Sequence, residues 1–306
     1  TKLIHGGLRY LKNFEFKLVR EVGKERAVVY SIAPHLVVPE KMLLPLVEGG
    51  SFGKFGTGIG LWLYDKLAGV TGEDKRKILS KDKTLKIEPT LRNDILKGAG
   101  YYAEYRTDDA RLTLEIIKTA VQLKATAINY TAATELLYEN KKITGIKCID
   151  VITKTSFSIK AKKIVNATGP WVDELREKDK SLSEKKLHLT KGVHVVVDRD
   201  KLPINSSIYF DVEEGRMIFA IPRQGITYIG TTDTEFSDDK NSPKVTKKDV
   251  QYLIDAANKM FPTAELKISD ILSSWAGIRP LIHEEGKSTS ELSRKDELFI
   301  SNSGLI

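Results

Sequence analysis

KIVNATGPW, Lys163 to Trp171, is the stretch on which the reading of this chain turns. Ile164-Val165 reads as a buried strand, and Asn166-Ala167-Thr168-Gly169 as the loop that leaves it. Pro170 sits where a first helical residue belongs, because its missing N–H costs nothing there. Gly169 allows the backbone to come close to a ligand. The helix beyond would present unpaired N–H groups and the positive end of its dipole. An ordinary strand-to-helix turn uses the same residues, and the stretch alone leaves both readings open.

On its N-terminal side the pattern is that of an α/β layer. Tyr101 to Tyr105 alternates as a strand, and Thr107 or Asp108 caps a helix with apolar positions at Leu112, Ile116, Ala120 and Leu123. Ala127 to Tyr130 reads as a second strand, which completes a β-α-β unit. Glu135 to Tyr138, Ile143 to Val151 and Ser156 to Ala161 read as a three-stranded meander, its first turn at Glu139-Asn140-Lys141. Earlier, Phe14 to Ile32 carries apolar residues at helical spacing, with Phe14, Leu18, Val22, Val29 and Ile32 near one stripe. Ala33-Pro34 closes that helix. Leu36 to Val47 is apolar with two prolines, the mark of an edge or bulged strand. Gly49 to Gly60 is glycine-dense, but no strand precedes it and its spacing is not G-x-G-x-x-G. Leu61 to Val70 reads as a short amphipathic helix, and the charged Lys75 to Lys97 as short surface helices.

On the C-terminal side, Leu187 to Val197 and Ile208 to Ile229 alternate strongly, with turns at Glu213-Glu214-Gly215 and Arg223-Gln224-Gly225. They read as an antiparallel sheet ended by Thr231-Thr232-Asp233. Thr246 to Phe261 is a helix capped by Thr246 and stopped by Pro262. Ser269 to Pro280 returns as a strand bearing Arg279, and Glu297 to Ser301 reads as the last strand.

A chain of 306 residues, 41% of them hydrophobic and 29% charged, can form two globular domains with a sizeable core. The single cysteine, Cys148, excludes an intrachain disulfide and suits a reducing cytosol. No run of eighteen apolar residues occurs. The net charge of +8 fits anionic partners. Its lysines are dispersed among acidic residues, with no basic helix or reading module, so nucleic acid is not expected. The five histidines lack metal-ligand spacing, so no metal is expected either.

Two further places carry chemistry. TKLIHGGLRYLK, Thr1 to Lys12, sets His5, Arg9 and Tyr10 astride Gly6-Gly7. Arg9 can fork onto a phosphate or carboxylate, Tyr10 adds a hydroxyl, and His5 titrates near neutral pH. The floor of an anion pocket and a plain turn into the next helix both fit. Arg279 lies in SWAGIRPL between apolar neighbours, where arginine needs an anionic partner. A structural salt bridge would supply one, and so would a bound ligand. His194 and His283 read as structural, and Asp108, Asp109 and Arg111 as residues that cap and tie a helix.

The opening stretch through Val29, with YYAEYRTDDARL, VNATGPWVDELR, HLTKGVHVVVD, YIGTTDTEF and SSWAGIRPLIHEE, resembles the FAD-dependent, quinone-linked glycerol-3-phosphate dehydrogenases. The resemblance runs in the family's order over essentially the whole chain. The family opens with a strand and a Gly-rich FAD loop, and continues after a segment like ISNSGLI into further sequence. The resemblance therefore implies an internal piece, expected by itself to bind FAD weakly or not at all and to show no dehydrogenase activity.

What it implies for the fold is α+β, with a partial FAD domain of the two-dinucleotide-binding type over 1–35, 98–175 and 270–306. An antiparallel-sheet substrate-binding cap domain would take 36–97 and 176–269. The implied reaction oxidises sn-glycerol 3-phosphate to dihydroxyacetone phosphate by hydride transfer to FAD, with electrons passed to membrane quinone. Arg9 and Tyr10 match the phosphate-contacting pair. Gly6, Gly7, Ala167, Thr168 and Gly169 fall at cofactor positions. Arg279 matches the arginine facing flavin and substrate, and His5 occupies a pocket position open to a base. The family's place is cytoplasmic, peripheral on the membrane face, which leaves an anionic membrane surface and a homodimer open. Other readings are a sister oxidase using O₂, a related FAD 2-hydroxy-acid or amino-acid oxidoreductase, and a non-catalytic basic module meeting membrane through Leu61 to Val70.

Overall fold

A computed structural model of the chain describes residues 2–5, 15–50, 75–183, 185–212, 216–283 and 297–306. From the N-terminus it forms β1 (Leu3–Ile4), α1 (Phe16–Ile32), β2 (Val37–Val47), β3 (Lys77–Ser80), α2 (Lys81–Ile87), β4 (Leu96–Thr107) and α3 (Asp109–Gln122). There follow β5 (Thr131–Glu139), β6 (Lys142–Asp150), β7 (Ser156–Lys160), a 3-10 turn at Gly169–Trp171 and α4 (Val172–Lys178). The rest is β8 (Leu187–Asp198), β9 (Ser207–Asp211), β10 (Met217–Arg223), β11 (Ile226–Gly230), β12 (Thr234–Glu235), α5 (Lys247–Met260) and β13 (Ile271–Ile282). The architecture is α+β. One sheet runs β1-β4-β2-β9-β10-β11-β8-β12, with β3 on β4 and β13 on β8, and a second runs β5-β6-β7. The chain divides into two compact units, Thr1–Leu114 with Lys191–Thr234 and Ser242–Gly277, and Glu115–Thr190 with Glu235–Asn241 and Ile278–Ile306.

In the first unit the strands are apolar on both faces, so two layers must cover them. Val193, Val195, Val197, Phe210 and Ile218 pack in one cluster with Leu253, Ala257 and Met260 of α5. Val196, Phe219, Ile221 and Tyr228 pack in another with Val19 of α1 and Leu3 of β1. Strand side chains alternate between faces, which is why neighbouring valines join different clusters. Each large aliphatic or aromatic side chain so buried stabilises by about 1.5–3 kcal/mol.

Two expectations change here, and that for β2 is met by one of its alternatives. The buried face of α1 is Val19, Gly23 and Arg26, whereas Ile32 is 65% exposed. Arg26 turns inward because its Nη1 donates to the buried Glu104 carboxylate at 2.7 Å, with its guanidinium over the Tyr105 ring. β2 is bulged at Leu46-Val47 but is no edge, since it lies between β4 and β9. Pro39 and Pro45 fall outside Met42-Leu43, the residues paired with β9, so their missing N–H groups break nothing in that parallel contact. Lys75 to Lys97 holds β3 as well as a helix. A Cβ at Gly98 would collide with the Leu79 carbonyl, so glycine is what lets β3 approach β4.

In the second unit the expected meander stands, and both Asn140 (φ 50) and Lys141 (φ 63) take the left-handed turn conformation a two-residue hairpin needs. Cys148 is buried on β6. Ala127 to Tyr130 is not a strand, and neither is Glu297 to Ser301. Ile164-Val165 is reduced to one parallel bridge between Ile164 and Leu305, with Val165 exposed. A strand exists only where a neighbour takes its hydrogen bonds, and among the described residues these stretches lack that ladder.

α5 shows how local signals are tied to the sheet. Thr246 Oγ1 accepts from the Asp249 N–H at 3.2 Å, and the Asp249 carboxylate accepts from the Thr246 N–H at 2.9 Å, forming a capping box. The same carboxylate accepts from Lys191 Nζ of β8 at 2.8 Å. Burial pushes the Asp249 carboxyl up, but the bonds from Lys191 and Thr246 outweigh it and hold it below the usual range. Asp249→Asn should therefore cost about 1–3 kcal/mol near neutral pH. The carboxylate's contribution is fully present above its unfolded pKa of about 4 and is lost as pH falls through the lowered folded value. Thermal melts from pH 7 to pH 3 should show the gap between wild type and variant closing at the acid end. A gap independent of pH would show that the charge contributes nothing.

Candidate functional site

The second unit contains a cavity of about 860 Å³, whose lining includes Asn166, Gly169, Arg176, Lys185, Arg279 and Phe299. That volume falls in the range of small-molecule and cofactor sites. The loop expected to approach a ligand is held from two sides. The Asn166 N–H donates to the Ile306 carbonyl at 2.7 Å and the Ile306 N–H to the Ile164 carbonyl at 3.0 Å. The Asn166 side chain donates to the Val172 carbonyl at 2.9 Å and accepts from Thr168 Oγ1 at 2.7 Å. Gly169 has φ +58, and a Cβ built there would meet nothing within 4 Å. The glycine is thus required by its backbone conformation, and the space beside it is open. α4 starts at Val172, after the 3-10 turn at Gly169–Trp171, and has seven residues, so the dipole expected beyond Pro170 is that of a short helix.

The segment 301–306 that floors this loop is itself fixed by polar ties. Asp179 accepts from Ser303 Oγ at 2.6 Å and from Tyr138 Oη at 2.7 Å. Burial and the neighbouring Asp179 charge push the Tyr138 hydroxyl up to about 12. Burial also raises the Asp179 carboxyl, but donors led by Ser303 leave it below its ordinary value. The Ile143 N–H and Lys142 Nζ donate to the carbonyls of Ser303 and Asn302, each at 2.9 Å.

Of the residues singled out from the sequence, Gly169 and Arg279 come together in this cavity. Ala167 and Thr168 belong to its loop but are exposed, the Thr168 hydroxyl being engaged with Asn166. Arg279, half-buried on β13, has contacts of its own. His5 lies in the first unit, half-buried, its ring 4.8 Å from Phe219, which stacks on Tyr209 at 4.2 Å. Gly6, Gly7, Arg9 and Tyr10 lie outside the described residues. His194 is buried in the first unit, stacked on Trp275 at 4.8 Å. His188 and His283 stand 6.2 Å apart in the second.

The sequence did not single out Arg176, Lys185 and Phe299. The available signal was the Asp173/Arg176 spacing of three, which sets both side chains on one helix face. Those two form an ion pair at 2.8 Å, Lys185 pairs with Glu297 at 2.7 Å, and both cations lie over the Phe299 ring.

The family model described as FAD dependent oxidoreductase matches residues 1–302. The chain belongs to that family. Among members of this FAD-dependent oxidoreductase family, it is 56% identical over its whole length to the aerobic glycerol-3-phosphate dehydrogenases of Bacillus subtilis and Staphylococcus aureus. It covers 55% of each of those relatives, so it spans about half their length. The solved glycerol-3-phosphate dehydrogenase of Bacillus halodurans, complexed with FAD, superposes with a TM-score of 0.79 at 46% identity, covering the whole chain and 51% of that protein. The L-α-glycerophosphate oxidase of Mycoplasma pneumoniae shares the fold at 21% identity, with a TM-score of 0.71 over 93% of this chain and 73% of that one.

The cavity fits the family's cofactor in kind. Its wall combines an aromatic ring, aliphatic side chains and cations beside a glycine whose side has room for a ligand, as a flavin dinucleotide requires. An L-residue in the left-handed region costs about 1–2 kcal/mol. Gly169→Ala should lower the melting temperature accordingly and reduce flavin retention on gel filtration. A variant that keeps both wild-type stability and flavin would separate this turn from the cofactor.

Proposed function

We propose that the protein catalyses FAD-dependent oxidation of sn-glycerol 3-phosphate to dihydroxyacetone phosphate. The observation that carries this is the cavity joining Gly169 to Arg279, in a chain 56% identical to aerobic glycerol-3-phosphate dehydrogenases. When bound, FAD supplies the two-electron acceptor. The residues supply position and charge. Arg9 and Tyr10 hold the substrate phosphate, a fork and a hydroxyl on one anion. Arg279 stabilises the negative charge that develops on the C2 oxygen, where a positioned cation contributes most. His5 takes the C2 hydroxyl proton, as an imidazole nitrogen can. Gly169 and its pinned loop keep the backbone clear of the cofactor.

The electrons pass on to a membrane quinone from a cytoplasmic position, peripheral on the membrane face. The net charge of +8 supports contact with an anionic surface. Among the described residues no helix is long and apolar enough to cross a membrane. Association as a homodimer is compatible with this reading.

In the complete enzyme, Arg9→Ala should raise KM for glycerol 3-phosphate roughly ten- to hundredfold, the equivalent of a lost charge-assisted bond. Unchanged steady-state kinetics would remove Arg9 from the site. Arg279→Lys keeps the charge but loses the planar fork, so kcat should fall by about tenfold or more while KM changes little. A lysine variant with wild-type turnover would overturn that role. Turnover with a quinone analogue and without peroxide is expected. Stoichiometric peroxide would assign O₂ as the acceptor instead.

A further inference from the structure

One guanidinium organises a wall of the cavity. Arg176, on the last turn of α4, has a side chain only 11% exposed. Its Nη1 donates to Asp173 Oδ1 and to the Lys185 carbonyl, both at 2.8 Å, and its Nη2 donates to Ser183 Oγ at 3.2 Å. Asp173 completes the hold by accepting from the Leu187 N–H with its other oxygen, at 2.7 Å. The Arg176 carbonyl accepts from the Ser181 N–H at 2.9 Å. The guanidinium also lies 5.4 Å from the centre of the Phe299 ring. A single ion pair, three residues apart on one helix, thus binds Ser183, Lys185 and Leu187, all of which line the cavity, and supports Phe299 as well.

The donor inventory decides what kind of residue Arg176 is. Guanidinium offers five N–H donors in a rigid fork, and three of them are taken by Asp173, Lys185 and Ser183. Its charge is balanced by a carboxylate 19% exposed. It is therefore poorly placed to bind a further anion and well placed to determine where the wall stands. The pair is mostly screened from water, so it holds its geometry better than an exposed pair would. Lysine could not replace it, since a point charge reaches one acceptor well and not three in a plane.

We infer that Arg176 is a positioning residue for the flavin site, fixing Ser183, Lys185, Leu187 and Phe299 as a preformed wall for the bound cofactor. The inference rests on the flavin reading of this cavity given above.

The test uses the intact protein and two readouts. In Arg176→Ala, FAD binding measured by flavin fluorescence should weaken roughly tenfold or more, a loss of about 1.4 kcal/mol. Without any flavin, trypsin should cut after Lys185 and Lys186 faster than in wild type. Arg176→Lys should stay impaired in both. Ser183→Ala removes one exposed hydroxyl and leaves the core alone, so it carries the test if Arg176→Ala does not fold. It should weaken FAD about two- to threefold, within the range of one modest hydrogen bond. A wild-type value in either readout, for variants that fold, overturns the positioning role, even where the melting temperature has dropped. If the unaltered protein takes up no FAD, the flavin reading fails and this inference with it; if it does and the variants bind equally well, only this inference fails.

Discussion

Both faces of the strands from Lys191 to Gly230 must be kept from water, and most of the first unit follows from that constraint. Alternation sends Val193, Val195 and Val197 to one face and Val196 to the other, and neither set can be left exposed. α5 covers one face. β1 and α1 contribute to the other, and α1 brings Arg26 into the interior with it. A buried arginine is tolerable only with a buried partner, and Glu104 at 2.7 Å is that partner. Lys191 and Asp249 repeat the solution on the opposite side, where the acid that caps α5 also neutralises a lysine of the sheet.

The second unit is held by different means. Its buried apolar residues are few, among them Ile143, Cys148, Leu281 and Leu305. Order comes instead from carboxylates that gather several donors each. Asp179 collects Tyr138 and Ser303, and Asp173 collects Arg176 and the Leu187 N–H. Hydrogen bonds to charged groups are directional and stronger than neutral ones, so they fix positions in a thinly packed region. The cavity containing Gly169 and Arg279 is bounded by segments held in this way. Its walls are positioned by geometry more than by packing density.

Signals that act within four residues were legible in the sequence. The Thr246 cap, the Glu139-Asn140-Lys141 turn and the Gly169-Pro170 turn each depend on backbone conformation or a side chain reaching its own helix end. So did the alternation of β8 to β11, and with it the antiparallel sheet. The family resemblance added the roles of Arg279 and of Ala167 to Gly169 at a flavin, and the structure sets Gly169 and Arg279 in one cavity.

Tertiary structure decided everything that depended on a distant partner. Whether an apolar run becomes a strand is settled by its neighbour. β2, expected as an edge or bulged strand, is bulged and interior, because β9 reaches Met42 and Leu43, while Ala127 to Tyr130 forms no strand at all. The face that α1 buries was decided by Glu104, 78 residues from Arg26 in the chain, which no helical period can announce. The wall of the cavity is of the same kind. Arg176 reads as one more charge on a short helix until the fold brings Ser183, Lys185 and the distant Phe299 within its reach. Sequence determined the local geometry because neighbouring residues share a backbone. Only the folded chain could decide the long-range pairings, because their partners are brought together by burial and not by proximity along the chain.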